Sequence, residues 1–378
     1  MIYLDYNATT PILKSISKYL LDFNKNYFGN PVSLHTAGQM AGKEVSIARE
    51  KIANFFHTQP QNIIFTSSGA EANNMLLWGT FLHNKFTNPD KNHIITSYVE
   101  HPSILEPIKI LNKLGLETSY IKCDKFCNVN VEEIEKMIRP QTFLISIMHS
   151  NNEVGTIQKV EQIKGIIKNR DDIIIHSDIA QSVGKMHIDY KKLNVDAITV
   201  SAHKFFGPKG IGALIFYKKP EITPIISGGI QEQGLRAGTH NLNGIIGFKL
   251  AVQYLEKNLD YIQNALKKRF EFMYENLSKI KNIVINTPPT NSINNTLNIS
   301  VAGWTRDQIL VKLDNLGICI STGTACLSGT SRTSHVLEAL GISEELKQSA
   351  VRISFSHLTT FKELSYFIDT IKTLTTSL

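Results

Sequence analysis

The chain has 378 residues, 40 Lys+Arg against 33 Asp+Glu for a formal net charge of +7, and 42% apolar residues. That apolar content excludes intrinsic disorder, and runs such as Ile211 to Tyr217 fall far short of the ~18–20 apolar residues of a bilayer-spanning helix. The length suggests two or three folding units, and the modest charge fits a solvated lysine-rich surface as well as an acidic partner.

The start, Met-Ile-Tyr-Leu-Asp-Tyr, lacks the basic stretch, apolar core and cleavage site of a secretory signal. Runs rich in Ile, Val, Leu and Phe then predict strands at 62–66, 93–97, 118–121, 142–148, 172–177, 196–201 and 211–217. Several are continuously apolar, as strands buried on both faces are. Helical periodicity at 101–114, 131–138 and 160–169 separates them, so the order βαβαβ predicts a mostly parallel sheet covered by helices. Beyond about residue 245 the pattern changes. A long helix over 247–280, strands at 283–285 and 296–301, a helix over 306–316 and a terminal helix over 361–373 read as a smaller α+β body. Cys123, Cys127, Cys319 and Cys326 are too few for a disulfide scaffold, and reduced thiols in a cytosolic protein are expected.

Polar residues gather where the strands should end, which is where open α/β sheets bind ligands. Thr66 to Asn74 joins a strand to a helix through small residues that let backbone N–H groups reach a phosphate, although a capped turn reads the same way. His101 stands at a second junction, and Asn151–Asn152 at a third. Asp178 ends a buried strand, where a carboxylate needs a cation or several donors, or caps a helix. Lys204 leaves an apolar strand just before Phe205 and Phe206, so it should lose solvation and basicity and become a nucleophilic amine. A phosphate turn, a strand-end Asp, a ring-stacking His and a desolvated Lys together are what pyridoxal 5′-phosphate requires.

With Phe28-Gly-Asn-Pro31, Glu100-His101, Asn151-Asn-Glu-Val-Gly155, Asp178, Gln181, Ser201-Ala-His-Lys204, Arg236-Ala-Gly-Thr239 and Ser321-Thr-Gly-Thr-Ala-Cys326, the chain resembles the cysteine desulfurases of the nitrogen-fixation and iron–sulfur-assembly type. These are fold-type-I pyridoxal phosphate enzymes, and the likeness runs from Tyr3 to Phe355. It implies an α/β fold, with a mostly parallel seven-stranded sheet, helices on both faces and a smaller α+β domain. A large cofactor-binding domain would span 13–245, and a small domain 1–12 and 246–378. The implied reaction takes L-cysteine to L-alanine and leaves sulfur on Cys326 as a persulfide. From there it would pass to an acceptor protein of unknown identity for iron–sulfur clusters, tRNA thiolation or DNA phosphorothioation.

The resemblance implies that Lys204 tethers the cofactor and moves the substrate α-proton, that His101 stacks on the ring and moves thiol protons, and that Asp178 pairs with the ring nitrogen. Gln181 and Asn152 would reach the ring hydroxyl and the substrate. Ala70, Glu71, Ser201 and His203 would surround the phosphate, and Arg352 would hold the substrate carboxylate. Thr239 would reach the phosphate of a partner subunit, making the protein a cytoplasmic homodimer, with neither a metal, a membrane nor direct nucleic-acid binding expected. Cys326 would be the nucleophile, in a small, polar, Gly-bearing stretch that reads as a loop of the long-loop group. Cys319, between Ile318 and Ile320, reads as a core residue, and Cys123 and Cys127 as incidental. Two departures stand out. Ala70 replaces the usual Thr and removes a hydroxyl from the phosphate turn, and Arg332-Thr333 replaces a common Glu-Pro.

Overall fold

The computed structural model describes residues 1–168, 170–323 and 334–376. In chain order the elements are β1 (Ile2–Tyr3), α1 (Lys14–Asn26), α2 (Thr36–Phe55), β2 (Ile63–Thr66), α3 (Gly69–Thr87), β3 (His93–Ser97), α4 (Pro102–Asn112), β4 (Glu117–Ile121), α5 (Ile134–Met137), β5 (Thr142–Ser146), α6 (Ile163–Ile167), β6 (Ile174–Asp178), β7 (Ala197–Ser201) and β8 (Gly212–Phe216). There follow α7 (Leu242–Leu277), β9 (Ile283–Ile285), β10 (Thr296–Val301), α8 (Arg306–Asn315), β11 (Ile318–Cys319), α9 (His335–Ala339), α10 (Glu344–Gln348), β12 (Ala350–Ser354) and α11 (Phe361–Thr376).

A seven-stranded sheet in the order β2-β8-β7-β6-β5-β3-β4 forms the centre. All seven predicted strands are in it. All its strands but the half-exposed edge strand β4 are buried on both faces, and successive residues serve opposite layers. Ile63, Phe65, Ile145 and Ile215 pack into one core, whereas Ile64, Leu144 and Leu214 pack into another beneath α3 and α4. The β3–β4, β3–β5, β5–β6 and β6–β7 pairs are parallel, while β8 lies antiparallel between β2 and β7. The short link from β7 to β8 is the reason, because a parallel return needs a crossover of a dozen or more residues. Gly212 is required in β8: a Cβ there would lie 2.7 Å from the Ser68 carbonyl carbon and 2.8 Å from the Val200 oxygen. Its absence lets the turn before α3 settle against β7.

The predicted helices at 131–138 and 160–169 are shorter, each a 3₁₀ turn followed by four or five α-helical residues. The helices α1 and α2, which no expectation covered, pack with the 36-residue α7 along one side of the sheet. A three-stranded antiparallel sheet, β12-β10-β9, forms beyond α7. The amino terminus joins it: β1 runs parallel to β11, and Asp5 bridges to Ser354.

Between β8 and α7 the backbone turns sharply at Glu232 and Gln233, both in the left-handed region at φ 48° and 60°. The buried Glu232 carboxylate holds that turn. It accepts from Arg49 at 2.5 and 3.0 Å and from the Phe65 N–H at 2.8 Å, and it lies 2.8 Å from His240 Nε2. Glu232→Ala would leave the Arg49 guanidinium largely buried without its partner. Losing one member of a buried ion pair costs about 3–5 kcal/mol, and denaturant titration is expected to show a loss of that order.

Candidate active site

The carboxyl ends of β2, β5, β6 and β7 surround a cleft with about 160 Å³ of open space. Ser68, Gly69, Ala70, His101, Asn152, Asp178, Gln181, Ser201, His203 and Lys204 all line it. The topology thus gathers eight of the twelve residues expected of the site. Glu71, Thr239 and Arg352 are not on its wall, and Cys326 lies outside the described residues.

Lys204 closes the 3₁₀ turn that follows β7. Its amine donates to the backbone oxygens of Asn7 at 2.7 Å and Ala8 at 3.0 Å. His203 beside it has its imidazole pushed down to about 4 by burial and by the charges of Lys204 and Lys209. At the far end of the cleft, Ser68 caps α3 by accepting from the Glu71 N–H at 3.1 Å, so the first turn of a 19-residue helix opens onto the cleft. The Glu71 side chain takes no part there. Its carboxylate accepts from the Ser67 N–H at 2.8 Å and from Arg236 Nε at 2.8 Å. Burial pushes that carboxyl up, but Arg236 and Ser67 outweigh it and hold the carboxyl below its ordinary range. Thr239 is exposed and lines a separate cleft with Ser67, Arg236 and His240.

Asp178 ends β6 and is 9% exposed. It accepts from the Ala180 N–H at 3.0 Å and from the Asn73 amide at 2.9 Å. His101 caps α4, its Nδ1 accepting from the Ser103 N–H at 3.1 Å. Burial, reinforced by Lys204 and His335 and opposed by Asp178, keeps the His101 imidazole less basic than usual. Gln181 donates to the Asn7 oxygen at 3.1 Å and accepts from Lys185 at 2.5 Å.

Arg352 projects from β12 with its side chain only 3% exposed. It donates to Asp5 at 2.7 Å and to the Asn152 oxygen at 3.0 Å, while its buried Nε has no partner among the described residues. A buried guanidinium with an unused N–H beside Asn152 suits a carboxylate ligand.

Sequence reading missed Asn7 and Lys185. Asn7 is 1% exposed and touches Lys204, Gln181 and Lys185; its own amide donates to Thr296 at 2.7 Å and to the Asn152 oxygen at 3.2 Å. Burial, with Lys204 and Arg352 nearby, drives the Lys185 amine well below ordinary lysine basicity. Lys185 stands four residues after Gln181, the only sign of it in the sequence. Cys319, expected in the core, is only half-buried because β11 belongs to a two-stranded sheet.

Glu100 is fully buried behind His101 and accepts from the Ser97 hydroxyl at 2.7 Å and the Met148 N–H at 2.9 Å. Burial pushes its carboxyl up to about 8 from 4.5, so at pH 7 the folded protein holds a proton that the unfolded chain releases. The folded state therefore binds more protons between about 4.5 and 8, and stability falls as pH rises through that window. Glu100→Gln should retain stability at pH 7 and flatten that slope, which unfolding titrations at pH 5, 6, 7 and 8 would read.

The aminotransferase class-V family model matches residues 2–367. The chain belongs to this family. It is 40% identical over 373 residues to a protein named cysteine desulfurase IscS from Dictyoglomus turgidum, covering 98% of this chain and 93% of that one. A solved NifS-like protein superposes with a TM-score of 0.92 at 35% identity, each chain covered in full. A structure titled "SspA in complex with cysteine" matches with a TM-score of 0.83 at 32% identity, over 95% of this chain and 100% of that one. The fold is that of the fold-type-I pyridoxal phosphate enzymes, and pyridoxal 5′-phosphate is the cofactor.

The residues present fit it. The Ser201 hydroxyl is buried in the cleft with no partner among the described residues, close to the first turn of α3. A Cβ on Gly69 would touch Ser201 and Thr199 at 3.5 Å, so the backbone there is bare on the cleft side. An unpaired hydroxyl, a helix N-terminus, a carboxylate at a strand end and an amine opposite match the charge pattern of the cofactor.

Proposed function

We propose that the protein is a cysteine desulfurase that converts L-cysteine to L-alanine, stores the sulfur as a persulfide on Cys326 and passes it to an acceptor protein. The observation that carries this reading is the convergence of Lys204, Asp178, His101 and the α3 N-terminus on one cleft with Arg352 beside it. Similarity to named cysteine desulfurases and to a cysteine-bound neighbour supports the choice of substrate.

Bound pyridoxal phosphate supplies an electron sink that stabilises negative charge at the substrate Cα. The protein does the rest. Lys204 would tether the cofactor through its amine, and the same amine would carry the substrate Cα proton. Asp178 keeps the ring nitrogen protonated, and His101 and Gln181 hold the ring. Ser68, Gly69, Ala70, Ser201 and His203 take the phosphate; with Ala70 lacking a hydroxyl, backbone N–H groups of α3 carry more of that contact. Arg352 and Asn152 orient the substrate. The Cys326 thiolate attacks the substrate sulfur, so an S–S bond forms as the Cβ–S bond breaks. The bonding pair stays with carbon, which takes a proton and leaves as alanine.

Residues 13–245 act as the cofactor-binding domain, with 1–12 and 246–378 as the small domain. Phe28, Leu34 and Ile230 are 79%, 89% and 88% exposed, which supports a homodimer that covers them and brings Thr239 to the partner subunit's phosphate. The cysteines among the described residues, Cys123, Cys127 and Cys319, are unbridged, which fits the reducing cytoplasm. No helix among the described residues is long and apolar enough to cross a membrane. Incubating the loaded protein with L-cysteine tests the reading: equimolar alanine and persulfide support it, and pyruvate or a keto acid without persulfide overturns it.

A further inference from the structure

One chain of hydrogen bonds in the cleft has no part in the reaction as set out above. Asn73 lies on α3 with no exposure. Its amide donates to Asp178 Oδ2 at 2.9 Å and to the Ser103 hydroxyl at 2.8 Å. The Ser103 hydroxyl in turn is 2.8 Å from His101 Nδ1, which also accepts the Ser103 N–H.

The direction of each bond is forced. The Asn73 NH₂ must face Asp178, because the opposite flip would set a carbonyl oxygen against a carboxylate. Both amide protons are then used, so Ser103 Oγ accepts one of them. Its own single proton is left for His101 Nδ1, which meets two donors and has no room for a proton of its own. In the neutral ring the proton therefore sits on Nε2. Charging His101 would require the hydroxyl to turn away and would leave the Ser103 N–H facing another N–H. The charges around the ring are Asp178 from β6, Lys204 from the turn after β7 and His335 from α9, with Glu100 next in sequence. Only Asp178 favours the imidazolium, and its Oδ2 is already engaged by Asn73.

We propose that Ser103, acting with Asn73, is a positioning residue of the desulfurase reaction: it ties His101 to Asp178 and fixes the His101 proton on Nε2. The assignment rests on the reading that His101 and Asp178 flank the cofactor. A substrate sulfur in the cleft then meets a hydrogen-bond donor, not a base.

Ring-¹⁵N NMR of the loaded protein, labelled at histidine and assigned with His101→Gln, tests this. In the wild type Nδ1 should resonate as an unprotonated acceptor and Nε2 as a protonated nitrogen through neutral pH. Ser103→Ala deletes one donor to Nδ1, and the His101 titration midpoint should rise by about half to one pH unit. kcat for alanine formation should fall roughly two- to tenfold with KM little changed, the scale of one hydrogen bond. Ser103→Thr should restore both. Asn73→Ala, which breaks the chain at its other joint, should move the His101 midpoint the same way. A wild-type ring protonated on Nδ1, or a midpoint unmoved in both variants, overturns the proposal. The ring signals report whether or not L-cysteine is turned over, so failure of the functional reading is seen separately.

Discussion

Lys204→Ala is expected to give a folded protein that forms no alanine. The loss should be on the order of 10³-fold or more, since one amine serves as both tether and proton carrier. The fold should survive, because Lys204 lines an open cleft where water can reach a vacated amine site and satisfy the Asn7 and Ala8 oxygens. Borohydride reduction followed by peptide mapping gives a second readout. The wild type should carry the reduced cofactor on the peptide containing Lys204, and the variant should carry none. Labelling of Lys185 in the wild type would sink the assignment, since that amine is buried, is pushed well below ordinary lysine basicity and lies close by.

Cys326→Ser should stop persulfide formation while leaving cofactor binding intact. Alanine formation should fall on the order of 10³-fold or more, as when a nucleophile is removed elsewhere. The described residues on either side of the 324–333 segment give this substitution its setting. The Ser334 hydroxyl donates to buried Glu153 at 2.6 Å, and a Cβ on Gly323 would lie 2.8 Å from the same carboxyl group. Both flanks thus meet the neighbour of Asn152, on the cleft wall. Mass spectrometry of the protein after one turnover reads the result: a +32 Da mass on Cys319 or Cys123 in place of Cys326 would overturn the role, the shift being that of one added sulfur atom.

Most strands of the central sheet were legible because burial on both faces leaves an unbroken apolar run, as in Ile63-Ile-Phe65 and Phe143-Leu-Ile145. The site residues were legible for a related reason, since polar groups placed straight after such runs have few structural uses. The direction of β8 was not legible from its own composition and follows from the short connection to β7. Asn7, Lys185 and the Asn73–Ser103 pair were hidden by distance: Asn7 meets Asn152, Lys204 and Thr296 only after the chain has folded, and no local pattern marks such a meeting. Glu71 is a different case. It stands in the first turn of α3, but its carboxylate is turned to Arg236 and Ser67, a pairing that the local sequence does not mark.

The seam made by residues 2–10 has a consequence for the order of folding. Ile2 pairs with Ile318, Asn7 N–H with the Ser354 hydroxyl, and Thr10 with His203. The Asn7–Ser354 contact alone spans 347 residues of the chain. Contacts so distant along the chain form late and slowly. The support that Asn7 gives the Lys204 amine therefore joins a long-range seam to the cleft, and it is completed only as that seam closes.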